Sequence, residues 1–112
     1  MNLDSYKEDY LFEQNIETIN RVKKELKNIT YDNLTVLGTT VNAAFVDEII
    51  GEQIEFFVDE NSSKEGKTFR GKKVIHPKDL NFSNYTILPY GGSGEIIKER
   101  FKKIYKGTFA VV

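Results

Sequence analysis

The chain of 112 residues has no cysteine, only two prolines, a single histidine and almost no charge imbalance, with 16 basic residues against 17 acidic ones and a formal charge of −1. The missing cysteine excludes disulfides, thiolate metal sites and cysteine nucleophiles together. Without cysteine, the lone His76 cannot build a zinc site, and no metal is expected. The near-neutral charge removes the bulk electrostatic drive toward nucleic acid or an anionic membrane, so neither is an expected partner. No apolar run approaches the roughly 20 residues that cross a bilayer, and Met1-Asn2-Leu3-Asp4 is too acidic to open a signal peptide. A cytoplasmic protein is expected. What the chain does have is apolar mass: eight Phe, six Tyr and 39% hydrophobic residues, a composition that folds and does not fit disorder. Its length allows one domain and excludes a second, catalytic one.

Apolar spacing divides the chain in two. Over residues 5 to 29, Phe12, Ile16, Ile19, Val22, Leu26 and Ile29 recur at steps of three and four, the period of an amphipathic helix. Asp4 or Ser5 can cap it. This unit, residues 1–31, has a narrow stripe over about six turns, which leaves oligomerisation or pairing with another domain through it open. Residues 32–112 alternate between strand and helix signals. Leu34 to Leu37 reads as a buried strand stopping at Gly38; Thr39 to Ile50 as a helix capped by Gly51; Ile54 to Val58 as a second strand. Strand, helix and strand within about 25 residues make a βαβ unit with parallel strands. Asn61 to Lys73 is a loop or hairpin, and Lys73 to Ile75 a short strand. Tyr85 to Pro89 is a further strand. Glu95 to Lys106 forms a helix turning Ile96, Ile97, Phe101, Ile104 and Tyr105 inward, and Thr108 to Val112 is the last strand. The expected fold is α/β, with an open, mainly parallel sheet of about four to five strands preceded by a long N-terminal helix.

Ligands of such sheets sit outside the carboxyl ends of the strands. Three segments should meet there: Gly38-Thr39-Thr40, Asp59-Glu60, and Pro89 through Gly94, of which Tyr90, Gly91, Gly92 and Ser93 are the candidate binding residues. Gly38-x-Thr40-x-x-Ala43 with Asp59 twenty-one residues after Gly38 has the spacing of a dinucleotide fingerprint with its ribose-binding acid. Against it, Thr40 puts a β-branched side chain where a glycine would let pyrophosphate approach. The glycine loop Tyr90 to Gly94 can hold a phosphate or carboxylate on its N–H groups, or be a plain turn. His76, before Pro77, reads as a turn residue, and no catalytic triad is recognisable. Residues 47 to 60 hold six acids and no base, residues 64 to 78 six bases and one acid. The two blocks either face solvent, attract one another, or meet an anionic ligand through Lys64, Lys67, Arg70, Lys72, Lys73 and Lys78.

Three segments in this order, Val36-Leu37-Gly38-Thr39-Thr40, then Phe57-Val58-Asp59-Glu60-Asn61-Ser62-Ser63-Lys64-Glu65-Gly66-Lys67, then Gly71 to Leu80 with Val74, Pro77 and Leu80 in register, resemble the C-terminal domain of sugar C-methyltransferases, a family dependent on S-adenosylmethionine. Ser62 departs from that pattern, standing where the family has proline. A second likeness, to the small Rossmann-like N-terminal domain of sugar acyltransferases and nucleotide-sugar-modifying enzymes, shares Asp59 and the Lys-x-Gly-Lys stretch.

The first resemblance implies a single three-layer, Rossmann-like domain that helps enclose a nucleotide-linked sugar. It implies a methyltransferase core domain as partner, in cis or in trans, with S-adenosylmethionine bound by that core. The zinc cysteines and methyl-donor fingerprint of such enzymes have no counterpart here. The chain itself is then expected to take no cofactor and to carry no catalytic residue. The alternatives are a small nucleotide- or dinucleotide-binding domain, as in acyltransferases or oxidoreductases, and a helix-mediated interaction module.

Overall fold

A computed structural model describes residues 33–112 together with Glu17, Asn20, Lys23, Lys24 and Leu26. Most of the expected N-terminal helix, and with it the 1–31 unit and any pairing through its stripe, lies outside the described residues. Of that stripe only Leu26 is described, and it is buried in the core beside Val36, Val46 and Phe57.

Six strands form one sheet: β1 (Leu34–Leu37), β2 (Ile54–Val58), β3 (Thr68–Phe69), β4 (Lys72–Ile75), β5 (Tyr85–Leu88) and β6 (Thr108–Val111), in the order β3-β4-β2-β1-β5-β6. All pairs are parallel except β3 with β4. The α/β reading therefore holds, with one strand more than expected. That strand is β3, two residues long, whose antiparallel pairing with β4 makes a hairpin, one of the two readings of Asn61 to Lys73.

Burial follows position. The inner strand β1 is buried throughout, as a parallel strand covered on both faces must be, which is why Leu34 to Leu37 reads as a continuous run. Helix α1 (Val41–Ile50) connects β1 to β2, and α2 (Gly94–Ile104) connects β5 to β6. Alternate strand residues go to opposite faces. Val36, Phe57 and Ile87 join Ala43 and Val46 of α1 in one cluster; Leu37, Val58 and Leu88 join Phe101 of α2 in the other. The two helices thus cover opposite faces. Within this core Thr35 and Thr86, Cα partners across β1 and β5, share a buried hydrogen bond of 2.6 Å between their hydroxyls.

Three local expectations are corrected. Gly51 does not cap α1 in a left-handed conformation; its φ is −51° and the chain tightens into a 3₁₀ turn, Gly51–Gln53. Ile96 is 79% exposed and Ile104 59%, so neither points inward. Ile96 is one residue, about 100° of helix, away from the buried side marked by Ile97 and Phe101. Ile104 is the last helical residue, and the Tyr105 ring, edge-on to Phe101 at 4.9 Å, takes the inward place. Among the described residues no helix is long and apolar enough to cross a membrane.

Candidate functional site

Sheet order reverses between β1 and β5, and the chain leaves their carboxyl ends in opposite directions, into α1 and α2. A crevice opens at such a point. Backbone ladders carry the loops to it: the Gly38 N–H donates to the Val58 carbonyl at 2.8 Å, and the Asp59 N–H to the Ile75 carbonyl at 3.0 Å. The result is a cleft of about 240 Å³ lined by Gly38, Thr39 and Thr40 after β1, Asp59 and Glu60 after β2, and Tyr90 after β5, with Ile97 and Arg100 of α2 closing one side.

Gly38 is glycine for two reasons. Its φ is +111°, and a Cβ there would lie 2.3 Å from Tyr90 Oη. The Tyr90 ring crosses the β1 turn, its hydroxyl donating to the Leu37 carbonyl at 3.1 Å. In this arrangement a phenol packs on the glycine that makes the tight turn of a dinucleotide fingerprint.

Asp59 is engaged on both oxygens. Oδ2 accepts from the Thr39 hydroxyl at 2.8 Å and Oδ1 from the Asn61 N–H at 2.8 Å. Lys64 Nζ donates to Thr39 Oγ1 at 2.8 Å and lies 3.6 Å from Asp59 Oδ2. Burial opposes ionisation of Asp59, but the Asn61 N–H, the Thr39 hydroxyl and the Lys64 ammonium outweigh it and hold the carboxyl below its usual value. Glu60 is gripped by both Arg100 nitrogens at 2.7 and 2.6 Å, with the Tyr105 hydroxyl donating at 3.0 Å. The Arg100 bonds outweigh burial and lower its carboxyl too. Burial, then the Asp59 charge, pushes the Tyr90 phenol up.

Of the nine residues expected at the site, Gly38, Thr39, Thr40, Asp59, Glu60 and Tyr90 line this cleft. Gly91, Gly92 and Ser93 instead form a 3₁₀ turn leading into α2, and the Gly91 N–H is spent on the Val112 carbonyl at 3.0 Å. The last glycine of that run has a packing role: a Cβ on Gly94 would come within 3.0 Å of Val111 Cγ1. Arg100 and Lys64 were not among the expected site residues. Lys64 belongs to the basic block; Arg100 follows Ile97 by three, one helical turn, and so shares its face.

Comparison of the chain with family models, curated proteins and solved structures finds no match.

The charge blocks attract one another. Asp47 of α1 receives Arg70 Nε at 2.7 Å and Lys72 Nζ at 2.8 Å, Glu48 also pairs with Arg70, and Lys64 lies 3.6 Å from Asp59; within the basic block Lys78 lies 3.6 Å from Glu65. His76 caps the 3₁₀ turn Pro77–Asp79, its Nδ1 accepting from the Lys78 N–H at 3.0 Å. The Asp59-to-Lys67 segment is likewise a chain of turns, with Asn61 capping the 3₁₀ turn Ser62–Lys64. Ser62 is the first residue of that turn, a position where proline costs nothing. Among the described residues no cluster of His, Asp and Glu could hold a metal ion.

Proposed function

We propose that this chain is a non-catalytic, three-layer Rossmann-like module of the kind that sugar C-methyltransferases carry at their C-terminus. It presents the cleft between β1 and β5 to a nucleotide-linked sugar, beside a methyltransferase core in cis or in trans and in a cytoplasmic setting. S-adenosylmethionine belongs to that core in this reading.

The observation that carries the proposal is the convergence of three strand-end loops, Gly38 to Thr40, Asp59-Glu60 and Tyr90, on one cleft, and the direction of the shifts within it agrees. General acid–base chemistry needs a group whose pKa lies near the working pH. Here the two carboxyls are pulled down and the phenol is pushed up, each away from neutrality. Fixed anions, a neutral phenol and threonine hydroxyls beside the start of α1 suit binding and orientation. The alternative, a dinucleotide domain using Asp59 on a ribose, has the spacing in its favour. Its acid is already occupied by Thr39 and Asn61, and Tyr90 covers the glycine turn.

Titration of ¹⁵N-labelled protein with dTDP-glucose and, separately, S-adenosylmethionine tests the proposal. The amides of Gly38, Thr40 and Glu60 are expected to move with the sugar nucleotide and to stay still with the methyl donor. Shifts at Gly38 and Asp59 with S-adenosylmethionine, or none with the sugar nucleotide at millimolar concentration, overturn it.

A further inference from the structure

A second cavity, of about 220 Å³, lies between the β1 loop and the β3–β4 hairpin. Its apolar surface comes from Phe69 and Val74, its polar rim from Lys64, Lys67 and Thr39. Thr39 lines the first cleft as well, so the two spaces share a wall, and that wall is the Lys64–Thr39–Asp59 chain of hydrogen bonds. Each space alone falls below the roughly 300–1,000 Å³ of ligand pockets, and the two side by side reach that range.

The wall is held unevenly. Asp59 keeps two close partners, Thr39 and the Asn61 N–H, that do not involve Lys64. Lys64 reaches Asp59 only at 3.6 Å, and its side chain is 39% exposed, longer than a direct hydrogen bond and open to solvent. In turning away Lys64 gives up its 2.8 Å bond to Thr39 and its 3.6 Å approach to Asp59, while Asp59 keeps the bonds from Thr39 and the Asn61 N–H. An ammonium so placed, next to the exposed Lys67, supplies two cations over an apolar floor.

We infer that Lys64 and Lys67 hold the diphosphate of a nucleoside diphosphate ligand, with Lys64 exchanging its Thr39 bond and Asp59 ion pair for phosphate. The base lies against the half-buried Phe69, and a sugar linked to the diphosphate passes over Thr39 into the cleft beneath Tyr90. The inference rests on the nucleotide-sugar reading above and deepens it, assigning the anionic contact to residues outside the three strand-end loops.

Calorimetry with dTDP-glucose, dTDP and thymidine, on the full chain and on Lys64→Met, Lys67→Met and Lys73→Met, tests it. Lys73 is an exposed neighbour on β4 outside the cavity lining and serves as the control. Each of the first two substitutions is expected to weaken dTDP-glucose and dTDP roughly tenfold, as loss of a charge-assisted contact does. Lys64→Arg should retain binding, thymidine should bind about a hundredfold more weakly than dTDP, and added salt should weaken dTDP. Unchanged dTDP-glucose affinity in both methionine variants, or thymidine binding as well as dTDP, overturns this inference and leaves the module reading standing. Absence of binding by any of the three ligands to the unsubstituted chain overturns both.

Discussion

Gly38 and Tyr90 are a matched pair, and the match can be measured. Alanine at 38 meets two penalties: about 1–2 kcal/mol for a Cβ in the left-handed region, and the 2.3 Å contact with Tyr90 Oη, which forces the phenol off the Leu37 carbonyl. Gly38→Ala should therefore cost at least about 2 kcal/mol in urea denaturation. Tyr90→Phe removes the offending oxygen, and the next ring atom, Cζ, is at an ordinary 3.6 Å. The second substitution should cost less on the Gly38→Ala background than on the unsubstituted chain, a favourable coupling of about 1 kcal/mol. Strictly additive costs would mean that Tyr90 is not what the glycine accommodates.

At the scale of elements, the hairpin is tied to α1 through one carboxylate. Burial alone raises the Asp47 pKa, but hydrogen bonds from Lys72 and Arg70 outweigh it and lower the value. A carboxyl that ionises more readily in the fold than in the unfolded chain, where its value is near 4, stabilises the fold above that pH. The contribution is lost as pH falls through the lower folded value. Asp59 and Glu60 act in the same sense. The urea midpoint should be flat above about pH 5 and fall below it. Asp47→Asn should lower the midpoint at neutral pH and make the acid fall shallower; an equally steep fall in that variant would show that the tie contributes nothing.

Much at this scale was legible from the residues. β1 and β5 are nearly or wholly buried, so their apolar runs are unbroken, and the loops ending them could be named because strand ends fix where a cleft opens. β3 was not legible, since two residues of Thr-Phe become a strand only by pairing with Lys72 and Lys73. In β2, strict alternation would put Ile54, Phe56 and Val58 on one face. A register shift between Leu34 and Thr35 sends Ile54 to the α1 side while Val58 faces α2. Arg100 on Glu60 and Lys64 on Thr39 join residues 40 and 25 positions apart. Periodicity carries no information about such pairings. The Tyr90-to-Gly94 run left two readings open because a glycine-rich turn serves close packing, as at Gly94 on Val111, as readily as ligand contact.

For the whole molecule, the buried Thr35–Thr86 hydroxyl pair is one of the polar contacts where the two βαβ halves meet. Thr35→Val strands the Thr86 hydroxyl, an expected loss of about 1–3 kcal/mol; Thr86→Val leaves Thr35 its longer bond to the Tyr85 carbonyl at 3.4 Å and should cost less, whereas replacing both should be nearly neutral or stabilising. Urea midpoints of Thr35→Val, Thr86→Val and the double variant decide it; a double variant as unstable as the sum of the singles would refute the idea. The same pair has a bearing on the order of events in folding. Pairing β1 with β5 brings together residues 51 positions apart. By contrast, β1 with β2 spans about twenty residues, so the former closes at an additional entropic cost of about 0.8 kcal/mol. The seam between the halves therefore carries the longer closure. The cleft lies on that seam, so its Tyr90 and Arg100 side meets its Gly38 and Asp59 side only once both halves are joined.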